Sequence, residues 1–457
     1  MIDDEYATKY DPYDPMILDR IVDGFEPKIV GERNNIKLLW LASISKDLPK
    51  KNRLSAIITS QSSAGKSNLI NSVLEPFQED VIDFTDYTPA FLNRQEMDMN
   101  GKIFKMEQME RTNDKRQVSL FNLKFLLTEG KLRIGLVDRD EKGKNSPRVL
   151  EVRGIPVFLS TSTNYNIDPE TLNRTLLMQV DETEQQTKKI VSYIFENYES
   201  LSINDRWKGE LIELQKLAKI YKQLAHRIRD IVIPFGYKLE KQIPITDLTI
   251  RRDLSKILNL TCVIAFIHAS NRIRIQNNDG EHFIKDSFGN TEKLFTYAIV
   301  AEPSDFKEAI SIAGATIKQT LNKINKSSME LFDEIIRACR AKISENSILG
   351  QNSTLDGSDN VEVVVTIKEL TKVTHLSANR TRELINQLYR TGFLNRERNK
   401  NNEFEYSPTG KKFEDINIDE LEFTKKELET WIQKQIGKHS ENLEVLYPNA
   451  RDIVLSK

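Results

Sequence analysis

Short apolar, β-branched runs alternate with helix-spaced apolar positions in the first half of this chain, and the pattern changes after it. The run LSAIIT, Leu54 to Thr59, has the character of a buried parallel strand. NLINSVL follows, with Leu69, Ile70, Val73 and Leu74 at helical spacing. This alternation continues from about Lys51 to Ile190 and predicts an α/β core. Ahead of it, Ile29 to Pro49 predicts a helix with Ile36, Leu38, Leu39, Leu41 and Ile44 apolar. From about Val191 to Asn325 the chain is rich in Leu, Ile and Lys and reads as helical. ILGQNSTLDGSDN, Ile348 to Asn360, reads as a linker. A compact basic segment follows to about Phe413, then a charged helical tail containing TKKELETWIQKQIGK. The expected divisions are an N-terminal helical segment (1–50), a core (51–190), a helical region (191–325), a basic domain (326–413) and a tail (414–457).

Composition narrows the class. With 457 residues, 39% hydrophobic and 29% charged, the chain suits a soluble globular protein of several domains. Its apolar runs fall short of the roughly 18 residues that span a bilayer, and the acidic start MIDDEYATKYDPYDP does not read as a secretory signal. Only Cys262 and Cys339 are present and the five His are scattered, so a reducing cytoplasm and no structural metal are expected. A net charge of −2 means that any nucleic-acid contact must come from local basic patches.

The strand–loop–helix at Ser55 to Leu74 carries the strongest chemical signal. SQSSAGKS resembles a phosphate-binding loop, G-x-x-x-x-G-K-[ST], with Ser60 where the first glycine belongs. Backbone N–H groups of Ser60, Ser62, Ser63, Ala64, Gly65, Lys66, Ser67 and Asn68 would then converge on an anion at a helix N-terminus. Lys66 reaches the outer phosphates, Ser67 offers its hydroxyl to Mg²⁺, and Gly65 lets the backbone pass close to the phosphates. The expected ligands are ATP and Mg²⁺. Such a site needs a second strand that ends in acid. GKIFKMEQMER, Gly101 to Arg111, supplies Glu107, followed by Gln108 where a second acid is usual. Either Glu107 is the catalytic base with Met106 at the metal-side position, or Glu107 serves the metal and Glu110 assists.

Three further features surround this pair. IPVFLSTSTNYN ends a buried strand in hydroxyls and amides at Thr161, Thr163 and Asn164. Arg174 stands between a short helix and an apolar strand. LTEGKLRIGLVDRDEKGKNSPRVLEVRG, Leu127 to Gly154, splits into two strand-like halves around turn formers and predicts a hairpin. In the basic domain, Thr366 and Glu369 have capping-box spacing, Ser377 starts a second helix with Leu384, Ile385 and Leu388 buried, and GFLNRERNKNNEFEYS reads as a two-stranded wing. The pattern is a winged helix-turn-helix, with Arg380, Arg382, Arg396, Arg398 and Lys400 facing DNA phosphates.

The order of these parts resembles the MCM-like AAA+ helicases of mobile elements, plasmids and proviruses, related to primase-associated helicases and the archaeal MCM motor. The resemblance spans about Ile29 to Thr409 and rests on IVGERNNIK, FLLTEGKLRIGLVDRD, NRTLLMQVDETEQQT and TIRRDLSKILNLTCVIAFIHASNRIR. It implies an AAA+ P-loop ATPase core, an α-helical lid at 191–325 and the winged helix. It also makes one of Thr161, Thr163 and Asn164 the sensor that orients attacking water, and Arg174 an arginine finger for the neighbouring subunit. Arg252, with Arg251 as alternate, becomes a second sensor of the γ-phosphate. The hairpin would hold DNA in a central channel through Lys142, Lys144 and Arg148. The implied partners are DNA, further copies in a hexameric ring, and a primase or other replication protein. No primase or zinc-binding domain is expected ahead of the motor. The expected function is ATP-dependent DNA unwinding in replication of a mobile element; the alternative is an AAA+ loader or regulator that uses ATP as an assembly switch.

Overall fold

The computed structural model describes residues 8–61, 64–84, 97–107, 125–139, 145–163, 167, 169–172, 174–199, 203–240, 250–285, 291–322, 324, 326–348, 364–374, 376–400, 402–413, 421–438 and 443–448. It is a mixed α/β protein of two compact units, Met1–Gly314 with Ile416–Lys457, and Ala315–Asp415. Among the described residues no helix is long and apolar enough to cross a membrane.

The larger unit is built on a parallel sheet. Its strands are β1 (Ala56–Thr59), β2 (Val81–Phe84), β4 (Ile103–Met106), β7 (Val157–Ser162) and β8 (Leu176–Gln179), in the order β2-β4-β7-β1-β8. Every residue of β1, β4 and β7 is buried, including the polar Thr59, Lys105, Ser160, Thr161 and Ser162 near their carboxyl ends. Ile57, Phe104, Met106 and Phe158 share one core cluster. The short strand β3 (Met97–Asp98) pairs with a long antiparallel hairpin, β5 (Lys131–Arg139) and β6 (Asn145–Arg153). The expected hairpin is present, and its ladder runs to Arg139 opposite Asn145.

Two helices precede the sheet. On α1 (Ile17–Gly24), Ile17, Leu18, Ile21 and Val22 form the buried stripe. On α2 (Arg33–Ile44), all residues from Ile36 to Ile44 are buried, so this helix is core on every side. Trp40 lies 6.1 Å from Phe25 and 4.9 Å from Phe77, ring centre to ring centre. Helix α3 (Lys66–Leu74) follows β1 within the sheet's own sequence, and α4 (Ile203–Ala225) comes after its last strand.

The stretch 191–325 departs from its helical expectation. It holds α5 (Ile250–Ile267) but also β9 (Ile228–Val232), β10 (Arg274–Lys285) and β11 (Thr291–Val300). A second correction concerns the tail. Its helix α9 (Lys425–Lys438) is followed by β15 (Leu443–Leu446), which completes a four-stranded sheet in the order β15-β10-β11-β9. A capping box at Thr424 and Glu427 starts α9, and Glu427 is paired to Lys238 at 2.8 Å. Sequence-distant strands thus build one sheet, and the apolar side of α9 closes over Ile273, Ile275 and Val300.

The smaller unit contains α6 (Lys326–Ile348), α7 (Ile367–Thr374), α8 (Ala378–Arg390) and the sheet β12 (Val365–Thr366)–β14 (Phe404–Pro408)–β13 (Leu394–Arg398). Leu370, Leu384, Ile385, Leu388, Phe393 and Tyr406 are buried together. The Thr366–Glu369 box closes in both directions, Thr366 N to Glu369 Oε2 at 2.8 Å and Glu369 N to Thr366 Oγ1 at 3.3 Å. Ser377 caps α8 by accepting from Arg380 N. The unit begins at Ala315, eleven residues ahead of the expected boundary at 326 and inside the helix Pro303–Asn322.

One half-buried carboxylate joins four segments of the larger unit. Asp80, just before β2, accepts from Lys46 and Lys222 at 2.8 Å each and from Lys102 at 3.3 Å. Burial alone would raise its pKa, but the hydrogen bonds from Lys222 and Lys46 outweigh it and hold the carboxyl at about 2, against an ordinary 3.8. The folded value is the lower one, so the contribution to stability is complete above about pH 4 and is lost as pH falls through 2. Asp80→Asn should therefore lower the melting temperature at neutral pH. That gap should close between pH 4 and 2 in paired thermal melts, and a gap independent of pH would contradict this role.

Candidate functional site

In a parallel sheet all carboxyl ends share one edge, and loops at that edge form the ligand crevice. Here the loop after β1 carries Lys66 and the end of β4 carries Glu107. The strand between them, β7, ends in Thr161, Ser162 and Thr163. Register aligns Met106 with Ser160, and Ser160 with Ile57. Two ladder steps therefore separate the acid strand from the loop strand, roughly 10 Å at the usual spacing. Ser60 N donates to Ser162 O at 3.3 Å, and Ser160 Oγ donates to Met106 O at 2.9 Å, so both neighbours are tied to β7 at this edge.

The loop itself turns through Gly65, whose φ of +85° lies in the left-handed region and which precedes the first residue of α3. A Cβ built there meets nothing within 4 Å. Glycine is thus needed for its backbone angle, while the space above it is open. Lys66 is buried, and its ammonium donates to Ser60 O at 2.8 Å, Ser60 Oγ at 3.3 Å and Gln61 O at 2.6 Å. Ser60 is fully buried, so this position has a packing role as well as a turn role. Ser67 and Asn68 are exposed on the first turn of α3 and Ala64 is half-buried. Ser62 and Ser63 lie outside the described residues.

Strand alternation sorts the acid strand. Phe104 and Met106 point into the core, so Met106 is unsuited to any part at the metal. Lys105 and Glu107 share the other face, with Lys105 Nζ 2.7 Å from Asp83 and 3.5 Å from Glu107. A buried lysine beside the acid is a feature the sequence reading missed, although a lone cation inside IFKM was its visible signal. Glu107 is half-buried. Gln108, Glu110 and Asn164 lie outside the described residues. Thr161 is buried and Thr163 half-buried.

The other side of the loop mouth is formed by the segment after β8 and the start of α2. Gln61 N donates to Glu182 Oε1 at 2.8 Å, and Asp181 N donates to Glu32 Oε1 at 2.7 Å. Glu32 also accepts from Asn35, which donates to Gln179 O at the end of β8. Gly31, with φ of +68°, turns the chain against Gln186. IVGERNNIK therefore lies beside the loop, a placement that spacing alone did not give.

Arg174 and Arg252 sit elsewhere. Arg174 stands two residues before β8, at the amino edge of the sheet, opposite the Lys66 edge. Its guanidinium donates to Thr128 Oγ1 at 2.8 Å and to Glu170 O at 2.7 Å, so it contacts the backbone of Glu170. Arg251 and Arg252 lie on the first turn of α5, and one turn later Lys256 Nζ donates to Thr175 O at 3.3 Å. That bond ties α5 to the same amino edge, and Arg251 is exposed there. The start of α5, which carries Arg251 and Arg252, is thus held through Lys256 next to Thr175, the residue after Arg174.

The basic candidates divide similarly. Lys142 and Lys144 lie outside the described residues; Arg148 is on β6, opposite Leu136. In the smaller unit Arg382 and Lys400 are exposed, and Arg398 is exposed over Phe404. Arg396 is sandwiched between Tyr389 and Phe404 at 4.4 and 4.5 Å. Arg380 is less open: its side chain is 11% exposed and donates to Glu383 at 2.9 Å.

No family model matches this chain, and no curated protein matches it. Two apo A-form structures of the NrS-1 C-terminal region are similar to it. One is 14% identical with TM-score 0.24, covering 66% of this chain and 79% of that one. The other is 13% identical with TM-score 0.26, covering 90% and 79%. Overlaps this loose carry no argument about fold or function.

The geometry at Gly65 separates two reasons for a glycine. Gly65→Ala should destabilise the ligand-free protein by about 1–2 kcal/mol, the cost of the left-handed conformation. Gly65→Asn should cost less, because Asn tolerates that conformation. Thermal melts of both variants decide it; a larger loss for Asn than for Ala would mean that side-chain volume, and not φ, is limiting.

Proposed function

We propose that the chain is an ATP-dependent DNA-translocating motor of the AAA+ type, a helicase that works as a hexameric ring in replication of a mobile element. In this reading the parallel sheet is the P-loop ATPase core, α5 with the four-stranded sheet takes the place of the lid, and the smaller unit is a winged helix-turn-helix. The observation that carries it is the division of the sheet's two edges. Lys66, Thr163 and Glu107 share the carboxyl edge, while Arg174 and the helix of Arg252 share the amino edge. One subunit thus has half of a catalytic set on each side, which suits active sites completed between neighbours.

The residues fit ATP with Mg²⁺. The open space over Gly65 admits phosphates, and the exposed Ser67 hydroxyl with the Glu107 carboxylate are hard oxygen donors of the kind Mg²⁺ takes. Mg²⁺, when bound, neutralises charge on the phosphates. Lys66 exchanges its loop carbonyls for the outer phosphate oxygens. Thr163 orients the attacking water; Glu107 takes its proton, or else Glu107 serves the metal and Glu110 assists. Arg174 of the adjacent subunit stabilises charge on the transferred phosphoryl group, with Arg252 beside it. Arg382, Arg396, Arg398 and Lys400 bind DNA phosphates, and the stacked Arg396 is held in place by its two rings.

A second reading has an observation of its own. Lys105 competes for Glu107, and Gln108 follows where a second acid is usual, which suits a slow ATPase acting as an assembly switch for a loader or regulator.

The test of shared sites is a mixing experiment. Lys66→Ala and Arg174→Ala should each abolish ATP hydrolysis, the latter by about 10³–10⁵ with ATP affinity retained. Mixed, the two should regain activity, because a subunit with intact Arg174 can face one with intact Lys66. Activity of Arg174→Ala equal to that of the parent, at a rate per subunit independent of protein concentration, would remove the ring.

A further inference from the structure

A cavity of about 360 Å³ lies between the four-stranded sheet and α9, well away in sequence from the Lys66 loop. Its floor follows from register. Leu443, Asn277 and Thr296 are aligned across β15, β10 and β11, and Ile275, Ala298 and Asp230 form the next row. Strand alternation turns all of these to one face. The roof is Trp431 with Gln435, one turn apart on α9.

Two irregularities mark this cavity as more than a packing gap. The first is a register step between β9 and β11. Tyr297 pairs with Ile228, yet Ala298 pairs with Asp230, which leaves Arg229 without a register position. Such a bulge re-aims side chains, and here both Arg229 and Asp230 line the cavity. Asp230 is paired with Lys51 at 2.6 Å, so its charge does not oppose an anion at the rim beside Arg229. The second is Thr296. It is 5% exposed, and its Oγ1 has no hydrogen-bond partner. A buried hydroxyl left unsatisfied in the middle of a sheet is costly, and it faces a space large enough for a small ligand.

The lining has a definite chemistry. Trp431 is an aromatic wall for a flat ring, and Ile275, Ala298 and Leu443 are apolar. Asn277 and Gln435 each bring an amide, and Thr296 adds a hydroxyl. Aromatic stacking with amide contacts to a ring edge is how proteins hold unstacked bases, and Arg229 adds a cation at the rim. We propose that this cavity binds a nucleobase that carries a phosphate, either as a free nucleotide or as one unstacked unit of a single strand. The site is separate from the Lys66 loop, and its test does not depend on ATP hydrolysis.

The test uses the full chain labelled with fluorotryptophan, in a Lys66→Ala background that silences nucleotide binding at the loop. Only three tryptophans are present, and Trp40 and Trp207 lie in the aromatic cluster around Phe25. Titration with deoxynucleoside monophosphates and with a short oligothymidylate should move the Trp431 resonance, assigned by Trp431→Phe, and leave the other two in place. A response to monophosphates identifies free nucleotides as ligands, and a response to the oligonucleotide alone identifies a strand. Thr296→Val keeps the side-chain shape and should weaken binding about tenfold. Should that variant fail to fold, Arg229→Gln gives a second reading, with monophosphate affinity falling to that of the nucleoside. No movement of the Trp431 signal with either probe at millimolar concentration overturns the proposal. So does binding that ignores both substitutions.

Discussion

The ladder that holds β7 between β1 and β4 is the constraint on which the candidate site depends. It sets the acid strand two steps from the loop strand, and the Ser60–Ser162 and Ser160–Met106 bonds fix both ends against the same strand. Because the sheet is parallel, one register decides which residues share an edge. Lys66, Thr163 and Glu107 fall on one edge, Arg174 and Lys256 on the other. A slip of one residue in β4 would exchange Glu107 with Met106 and put a carboxylate into the Phe104–Phe158 core, which burial of a charge forbids. Chemistry and packing therefore select the same register.

The substituted loop follows the same logic. Ser60 in place of a first glycine is tolerated because that position, directly after β1, does not take a positive φ. Among the described residues of the loop, the left-handed angle is found at Gly65 alone. The backbone N–H groups of the helix N-terminus are unaffected by the exchange. What sets this site apart is Lys105, a buried cation between Asp83 and Glu107, which gives the acid an ion-pair partner inside its own chain.

Local signals were legible in the sequence and distant pairings were not. The strand–loop–helix at Ser55 to Leu74, the hairpin at 131–153, the Thr366–Glu369 box and the Ser377 cap all depend on neighbours within a few residues or across one turn, and each formed where the spacing indicated. β10 escaped because RIQNNDGEHFIK is mostly polar, and although β11 follows it directly, its other partner, β15, lies over a hundred residues away. Arg380 and Arg396 look alike in sequence, yet one is paired with Glu383 while two rings fix the other at the surface of the hairpin. Such differences reside in tertiary neighbours, which spacing does not encode.

The central claim is that this divided site drives strand separation. It is tested most directly by displacement of a labelled strand from a forked duplex at limiting salt. The account predicts displacement that requires ATP, disappears in Lys66→Ala and exceeds what DNA binding alone produces. ATP hydrolysis and ring assembly on the fork without any displacement would contradict it, and would leave the switch-like regulator as the reading of the same residues.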